Sequence, residues 1–559
     1  MPRIKRFAAA AALAAFAWTA DFAVGERSRP AMQTARGVVF LDKDGDGLRG
    51  AGEPGLENVK VSNGRDVVRS GPDGGWSLDV DDDDIVFVIK PRGYMTATDH
   101  LNLPRFYYIH KPQGSPDGDF LYEGVRPTGP LPESIDFALT RRDEPDAFRA
   151  LLFGDPQPYS EQDVAYYARQ VVGEVREAKA HGAEFVVVLG DLLGDYLELY
   201  EPYNAVNASM GVPEYNVYGN HDMNFKSPND AYADETFERT FGPATYAFQY
   251  GPVHFVVLDN VRYDGFHGYR EDGFPKTGNY QGHLSDEQLT FLKNLVETIP
   301  RDEKIVLLLH IPFATWEDTT VHTTPQHPEV LRILSGHAHT ASFSAHTHRL
   351  WQVALGSEAG YTATGPDGSP AKHWHVNAGA TCGSWWRGPL DERGLPLTTM
   401  TDGTPNGYLI ADFDGSDMRL RWKSAGEPAS DQMRIRTPDV VSAEATGDLE
   451  IVVNAFMATD RETVEAQVVD ARGVAVVDWF ALRHMPETPD PGYAAMYEAD
   501  QERGLSPEGK SLRRPSPCTH LFGATLPREL EPGSYWVEVR FADRFGFAHV
   551  LSRPLRVTR

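Results

Sequence analysis

Five segments each deliver Asp, Asn or His directly after an apolar run. They are Phe153-Gly-Asp155-Pro-Gln157, Leu189-Gly-Asp191-Leu-Leu-Gly-Asp195, Val217-Tyr-Gly-Asn220-His221-Asp222, Leu309-His310-Ile-Pro and Phe343-Ser-Ala-His346-Thr-His348. Polar clusters at the carboxyl ends of strands are where α/β sheets gather ligands, and they converge when the strands are neighbours in one sheet. Carboxylate oxygens, an amide oxygen and imidazoles together suit borderline divalent cations such as zinc, manganese, iron or cobalt. An aspartate with two free oxygens can bridge two cations about 3.5–4 Å apart, the spacing used for displacement at phosphorus. Any one of these segments alone would be read as a turn or a core histidine; five in order point to a metal centre.

The elements needed to position them are legible. From Phe148 to about Lys423, strand-like runs (Ala150–Phe153, Glu184–Leu189, Phe255–Leu258, Ile305–Leu309) alternate with helical stretches. Glu161 to His181 has helical periodicity, and Leu284 to Ile299 forms a second helix opened by Ser285 as N-cap. This alternation implies a layered α/β region. Two His-x-His pairs compete for the last ligand position. Gly336-His337-Ala-His339 follows an amphipathic segment, Pro328 to Leu334, that reads as a helix, whereas Thr340 to Ser344 reads as a strand leading into His346 and His348. A ligand pair should follow a strand, which selects His346 and His348.

Both flanks have β texture. Short apolar runs separated by Gly, Pro, Asp and Asn predict a sandwich over 35–142, with the pattern of surface-protein B-type repeats and prealbumin-like domains. A second sandwich is expected over 438–559, interrupted by a polar insertion around Pro486 to Arg514. Asp42-Lys-Asp44-Gly-Asp46-Gly47, with Glu53 at the twelfth place, has the spacing of a calcium loop; after a strand it reads as a calcium-stabilised sandwich loop or a plain acidic turn.

At 559 residues the chain exceeds one hydrophobic core, and 41% apolar with 24% charged residues is an ordinary globular composition. The formal charge of −27 argues against general nucleic-acid binding and leaves an anionic substrate to be drawn in by bound cations. Arg3, Lys5 and Arg6 followed by the short apolar run Phe7 to Trp18 read as a signal peptide over 1–25, cleaved after Ala17, Ala20 or Gly25. A periplasmic or secreted protein without a later transmembrane segment is therefore expected. In an oxidising compartment Cys382 and Cys518 either bridge or stay buried thiols; spacing alone leaves both open.

The ordered motifs, above all Gly219-Asn220-His221-Asp222, resemble those of the calcineurin-like metallophosphoesterases over about half the chain. The resemblance implies an α/β fold, a four-layer α/β/β/α core over 146–427, here flanked by the two β-sandwiches. It implies two divalent cations (manganese, iron or zinc): one on Asp155 and His348, one on Asn220, His310 and His346, with Asp191 bridging. His221 would face the substrate as general acid or charge stabiliser, with Asp222 orienting its ring. The implied reaction is hydrolysis of a phosphate ester, small-molecule, glycan or lipid, by a hydroxide shared between the cations. Gln157 stands where most of the superfamily has histidine, and its amide oxygen is a harder and weaker ligand than imidazole, favouring manganese or iron. An extracellular subgroup with flanking sandwiches shares this Asp-Pro-Gln, and also resembles the chain at Ala378 to Trp386 and Asp402 to Tyr408. Tyr280, His283, His373 and His375 are candidates to line the cleft, as are Trp385, Trp386, Asn406 and Tyr408. A phosphodiesterase or nucleotidase is the alternative activity, and a non-catalytic binding scaffold the alternative class; His221 and Asp222 speak against the scaffold.

Overall fold

The computed structural model describes residues 32–559 except 117, 119, 316–321 and 505–509. The signal-peptide reading of residues 1–25 lies outside them.

Two sheets form the centre. The first has the order Glu214–Asn216, Phe185–Val188, Ala147–Phe153, Gly407–Asp414, Asp417–Ser424, with the first three strands parallel. The second runs Tyr246–Tyr250, Val253–Val257, Lys304–Leu308, Thr340–Ser344, His373–Ala378, Leu350–Leu355, with the four inner strands parallel. Parallel strands covered on both faces should be apolar throughout: Phe185–Val188, Val253–Val257 and Lys304–Leu308 are buried along their whole length. The sheets meet through aromatic rings, Phe255 lying 5.3 Å from Phe185, 5.6 Å from Phe413 and 6.3 Å from Phe148.

Helices complete the four layers. Ser160 caps Glu161–Tyr167, and the helical course continues through a π-type turn to Glu177. Asp286–Val296 is opened by Ser285 and Gln288 in a reciprocal capping box and buries Leu289, Phe291, Leu292 and Leu295. His327–Leu334 ends before Gly336-His337, and Thr340–Ser344 is a strand. The two His-x-His pairs therefore stand at opposite ends of one strand.

On the N-terminal side two four-stranded sheets pack together, and on the C-terminal side a four- and a five-stranded sheet do so, with the helix Pro491–Arg503 inserted. The N-terminal sheets share a continuous apolar core with the centre, whereas the C-terminal ones have their own. At the C-terminal junction Phe456, Met457 and Phe545 join the central core and polar contacts add to them: Asn454 Nδ2 donates to Asp402 O at 3.2 Å, and His520 Nε2 lies 3.5 Å from the Asp402 carboxylate. Among the described residues no helix is long and apolar enough to cross a membrane. Cys382 and Cys518 are separate buried thiols.

Candidate metal centre

Because the strands that carry the candidate residues run parallel within each sheet, their carboxyl ends open on one edge, and the loops that follow bring the candidate residues together. Asp155, Gln157, Asp191, Asn220, Asp222, His310 and His348 are buried, and His221 and His346 are partly buried. Close approach is built into the glycines beside them. A Cβ on Gly190 would sit 2.4 Å from the His310 ring, and one on Gly219 would sit 2.0 Å from the Asp191 amide nitrogen. The backbone is also strained: Asp155, Gln157, Asp191, His346 and His348 all have positive φ, between 41° and 69°. Such conformations cost roughly 1–3 kcal/mol each and persist where surrounding structure imposes them, often at functional sites.

Asp191 is the hub. Its Oδ1 accepts from the His221 amide at 2.8 Å and lies 3.3 Å from His310 Nε2; its Oδ2 accepts from Gln157 Nε2 at 3.2 Å. His310 Nδ1 donates to Leu189 O at 2.8 Å, which turns Nε2 toward Asp191 and toward Asn220 Oδ1 at 3.0 Å. On the other side His348 Nδ1 donates to Gly383 O at 3.0 Å and presents Nε2 to Asp155 Oδ1 at 3.7 Å. Asp155 also accepts from the His346 amide at 3.0 Å.

The electrostatics are those of carboxylates and imidazoles buried side by side. Burial opposes charge on Asp191, but His310 and His221 outweigh it and hold the carboxyl below its usual range. Burial, with Asp191 adding to it, pushes Asp155 up against the opposing pull of His310. Burial lowers His346, and lowers His348 to about 4, keeping both rings neutral as ligation requires. Asp191, His310 and His346 can point ligand atoms to within 4.8 Å of one another, and His346 Nδ1 is buried without a hydrogen-bond partner. The donor set fits divalent cations.

The orientation of His221 departs from expectation. Its Nδ1 faces Asp195 Oδ1 at 2.5 Å. Burial pulls the ring's pKa down, but Asp195 and Asp191 outweigh it and lift it to about 10. Asp222 points away and accepts from the amides of Leu192, Leu193 and Gly219 at 3.1, 3.2 and 3.0 Å. Asp222 thus ties two ligand loops together, and Asp195 is the residue that orients His221. The cue for Asp195 was its place four residues after Asp191 in a glycine-rich turn. His322 was also missed: its Nδ1 lies 3.0 Å from His346 Nε2.

The cleft candidates divide. The Tyr280 ring is 5.9 Å from that of His346, and Trp385 stacks on His348 at 4.2 Å. Trp386 is buried and donates from Nε1 to Pro156 O at 2.8 Å, fixing the Asp155 loop. His373 and His375 do not line the cleft; they are buried in a hydrogen-bonded chain through Ser342 at 2.8 and 2.7 Å. His283 is held by Gln326, Asn406 donates to Thr381 O, and Tyr408 bonds His181 and Glu174, so these three are structural. A groove beside the centre is lined by His346, Trp351 and Trp385 and, from the C-terminal side, Pro517 and Thr519. In the N-terminal loop Asp42, Asp44 and Asp46 bring oxygens within 4.8 Å of one another, while Glu53 accepts from the amides of Lys43 and Gly50 at 2.7 and 2.8 Å.

Comparison with known proteins gives the family. The model for the N terminal of calcineurin-like phosphoesterases matches residues 44–124, and the model for their C terminal matches residues 375–548. No curated protein matches the chain. Among solved structures, a dimetal phosphatase from Danio rerio is 14% identical, with 50% of this chain and 96% of that one covered and a TM-score of 0.33. A purple acid phosphatase from yellow lupin seeds is 11% identical, covering 67% and 68%, with a TM-score of 0.33. A metallophosphoesterase from Sphaerobacter thermophilus is 14% identical, covering 50% and 89%, with a TM-score of 0.21. With one family model matching the N-terminal sheets and the other running from the last strands of the α/β core into the C-terminal sheets, the chain belongs to the calcineurin-like metallophosphoesterases, enzymes that cleave phosphate esters.

Proposed function

We propose that the chain is an exported phosphomonoesterase. Asp155, Gln157 and His348 would hold one divalent cation, and Asn220, His310 and His346 a second, with Asp191 shared. The observation that carries this reading is the meeting of Asp191, His310 and His346 with a buried His346 Nδ1 left unpartnered. When bound, the two cations, of manganese, iron or zinc, supply charge neutralisation and an activated water. His221, its ring fixed by Asp195 at Nδ1 and its Nε2 lying 4.0 Å from Asp191 Oδ2 at the shared carboxylate, delivers a proton from Nε2 to the leaving oxygen or stabilises charge on the phosphoryl group. Gln157 hydrogen-bonds Asp191 and so also sets the direction of the shared carboxylate. Export rests on the basic start and apolar run within residues 3–18. A calcium ion at Asp42, Asp44 and Asp46 is a separate proposal, checked by a calcium-dependent rise in melting temperature. The activity is tested by hydrolysis of a panel of mono- and diesters after loading with manganese, iron or zinc. Turnover of monoesters is expected; preference for diesters would shift the reading to a phosphodiesterase, and no turnover with any metal would refute it.

A further inference from the structure

Beside the metal centre lies a concentration of positive charge that the reaction does not use. Trp385 and Trp386 both have left-handed backbone, at φ 58° and 54°, a conformation bulky residues rarely hold. That turn sends Trp386 inward and leaves Trp385 against His348. The guanidinium of Arg513, an exposed residue from the C-terminal side, sits 5.0 Å from the centre of the Trp385 ring. Arg387 follows on the same turn, half-buried, and its Nε is buried with no hydrogen-bond partner. Burial, and then the charge of Arg513, push Arg387 below the ordinary value for arginine.

Two guanidinium groups close enough to repel should be neutralised, yet no carboxylate pairs with either among the described residues. Asp163, the nearby acid, is taken by Lys510 at 3.4 Å and by the Tyr159 amide at 3.1 Å. Lys510 in turn sits 5.7 Å over the Tyr159 ring, which lies 6.2 Å from that of His221. In a chain of net charge −27 an unneutralised cationic pair at this place has a ready partner in an anion. Guanidinium forks match phosphate and carboxylate oxygens.

We propose that Arg387 and Arg513 form a second anion-binding subsite beside the metal centre, so that the preferred substrate is a phosphate ester whose alcohol carries a further phosphate or a carboxylate. This rests on the phosphoesterase reading and narrows its substrate class. Trp385 packs between His348 and Arg513 and sets the distance from the scissile phosphate to the second anion.

The test compares kcat/KM of the manganese-loaded protein for butyl phosphate, a graded series of alkanediol bisphosphates, and phosphate esters of hydroxyalkanoates. A charge-assisted contact should favour a doubly anionic ester of matching length by about tenfold or more at low salt, and the favoured series identifies phosphate or carboxylate. In Arg387→Gln and Arg513→Gln that ratio should fall toward one, and lysine at either position should restore part of it. Equal kcat/KM across all esters in the parent, or a preference that survives both glutamine variants, overturns the proposal. If no ester is hydrolysed, the phosphoesterase reading falls by itself. The subsite is then read from calorimetric binding of alkane bisphosphonates against butylphosphonate: tighter bisphosphonate binding that is lost in the glutamine variants supports it, and equal affinities overturn it.

Discussion

Replacing Asp195 by asparagine keeps the side chain's shape and removes the negative charge that faces His221 Nδ1 at 2.5 Å. The ring would lose both its orientation and the partner that stabilises its protonated form, while every candidate metal ligand stays in place. A hydrogen bond to a charged group is worth about 1.5–3 kcal/mol, and each 1.36 kcal/mol is about tenfold in rate. Turnover of an alkyl phosphate should therefore fall roughly tenfold to hundredfold. An aryl ester with an activated leaving group needs little protonation and should lose far less. Removing the ring itself, in His221→Ala, should cost more, about 10²–10⁴-fold on the alkyl ester. If Asp195 acts only through His221, the double variant should be no slower than His221→Ala, since residues working as a unit are not additive. The assay is steady-state hydrolysis of both esters by metal-loaded proteins, with metal content checked by elemental analysis. Equal rates for Asp195→Asn and the parent on the alkyl ester, or losses that multiply in the double variant, would refute the reasoning.

Three further outcomes are expected. Asp222→Ala leaves the amides of Leu192, Leu193 and Gly219 without their acceptor; at about 1–3 kcal/mol per buried orphan, the melting temperature and metal content should both drop, and an unchanged melt would show the loops are held otherwise. His346→Ala and His348→Ala should each lower metal content and abolish activity, whereas His337→Ala and His339→Ala should keep their metals; the reverse pattern would place the centre at the other end of the strand. Glu214 is buried in the first sheet and burial raises its pKa from 4.5 to about 7. The folded state holds a proton that the unfolded chain releases, so this contribution is complete below about pH 4.5 and is lost as pH rises through 7, about 3 kcal/mol in all. Glu214→Gln should therefore melt higher than the parent near pH 8 and show no gain near pH 4; no difference between the two pH values would contradict it.

Much of the fold was legible because the signals are local. Apolar runs such as Phe185–Val188 and Lys304–Leu308 announce covered strands, and Ser285 with Gln288 announces a helix start. The polar clusters after them do lie at the carboxyl ends of parallel strands, but in two sheets and not one: Asp155, Asp191 and Asn220 follow strands of the first, His310, His346 and His348 strands of the second. The choice between the His pairs followed from whether a helix or a strand came before each. Side-chain direction within a turn was not legible. His221 and Asp222 are adjacent in sequence and looked like partners, yet Asp222 folds back onto amides at Leu192, Leu193 and Gly219, and Asp195, from another loop, takes its place. His373 and His375 share one face of their strand, and period-two alternation alone does not say whether that face opens on a cleft or on the Ser342 hydroxyl. Contacts such as Arg513 over Trp385 join the C-terminal region to the α/β core, and no local pattern encodes them.

The shared position proposed for Asp191 is the feature on which the whole centre depends, because its two oxygens face different candidate ligands, His310 on one side and Gln157 on the other. Elemental analysis of the purified parent and of Asp191→Ala, after equilibration with manganese, iron or zinc, tests it directly. The parent should carry two metal ions per chain and the variant neither; two ions retained in Asp191→Ala, or none bound by the parent with any metal, would contradict the account.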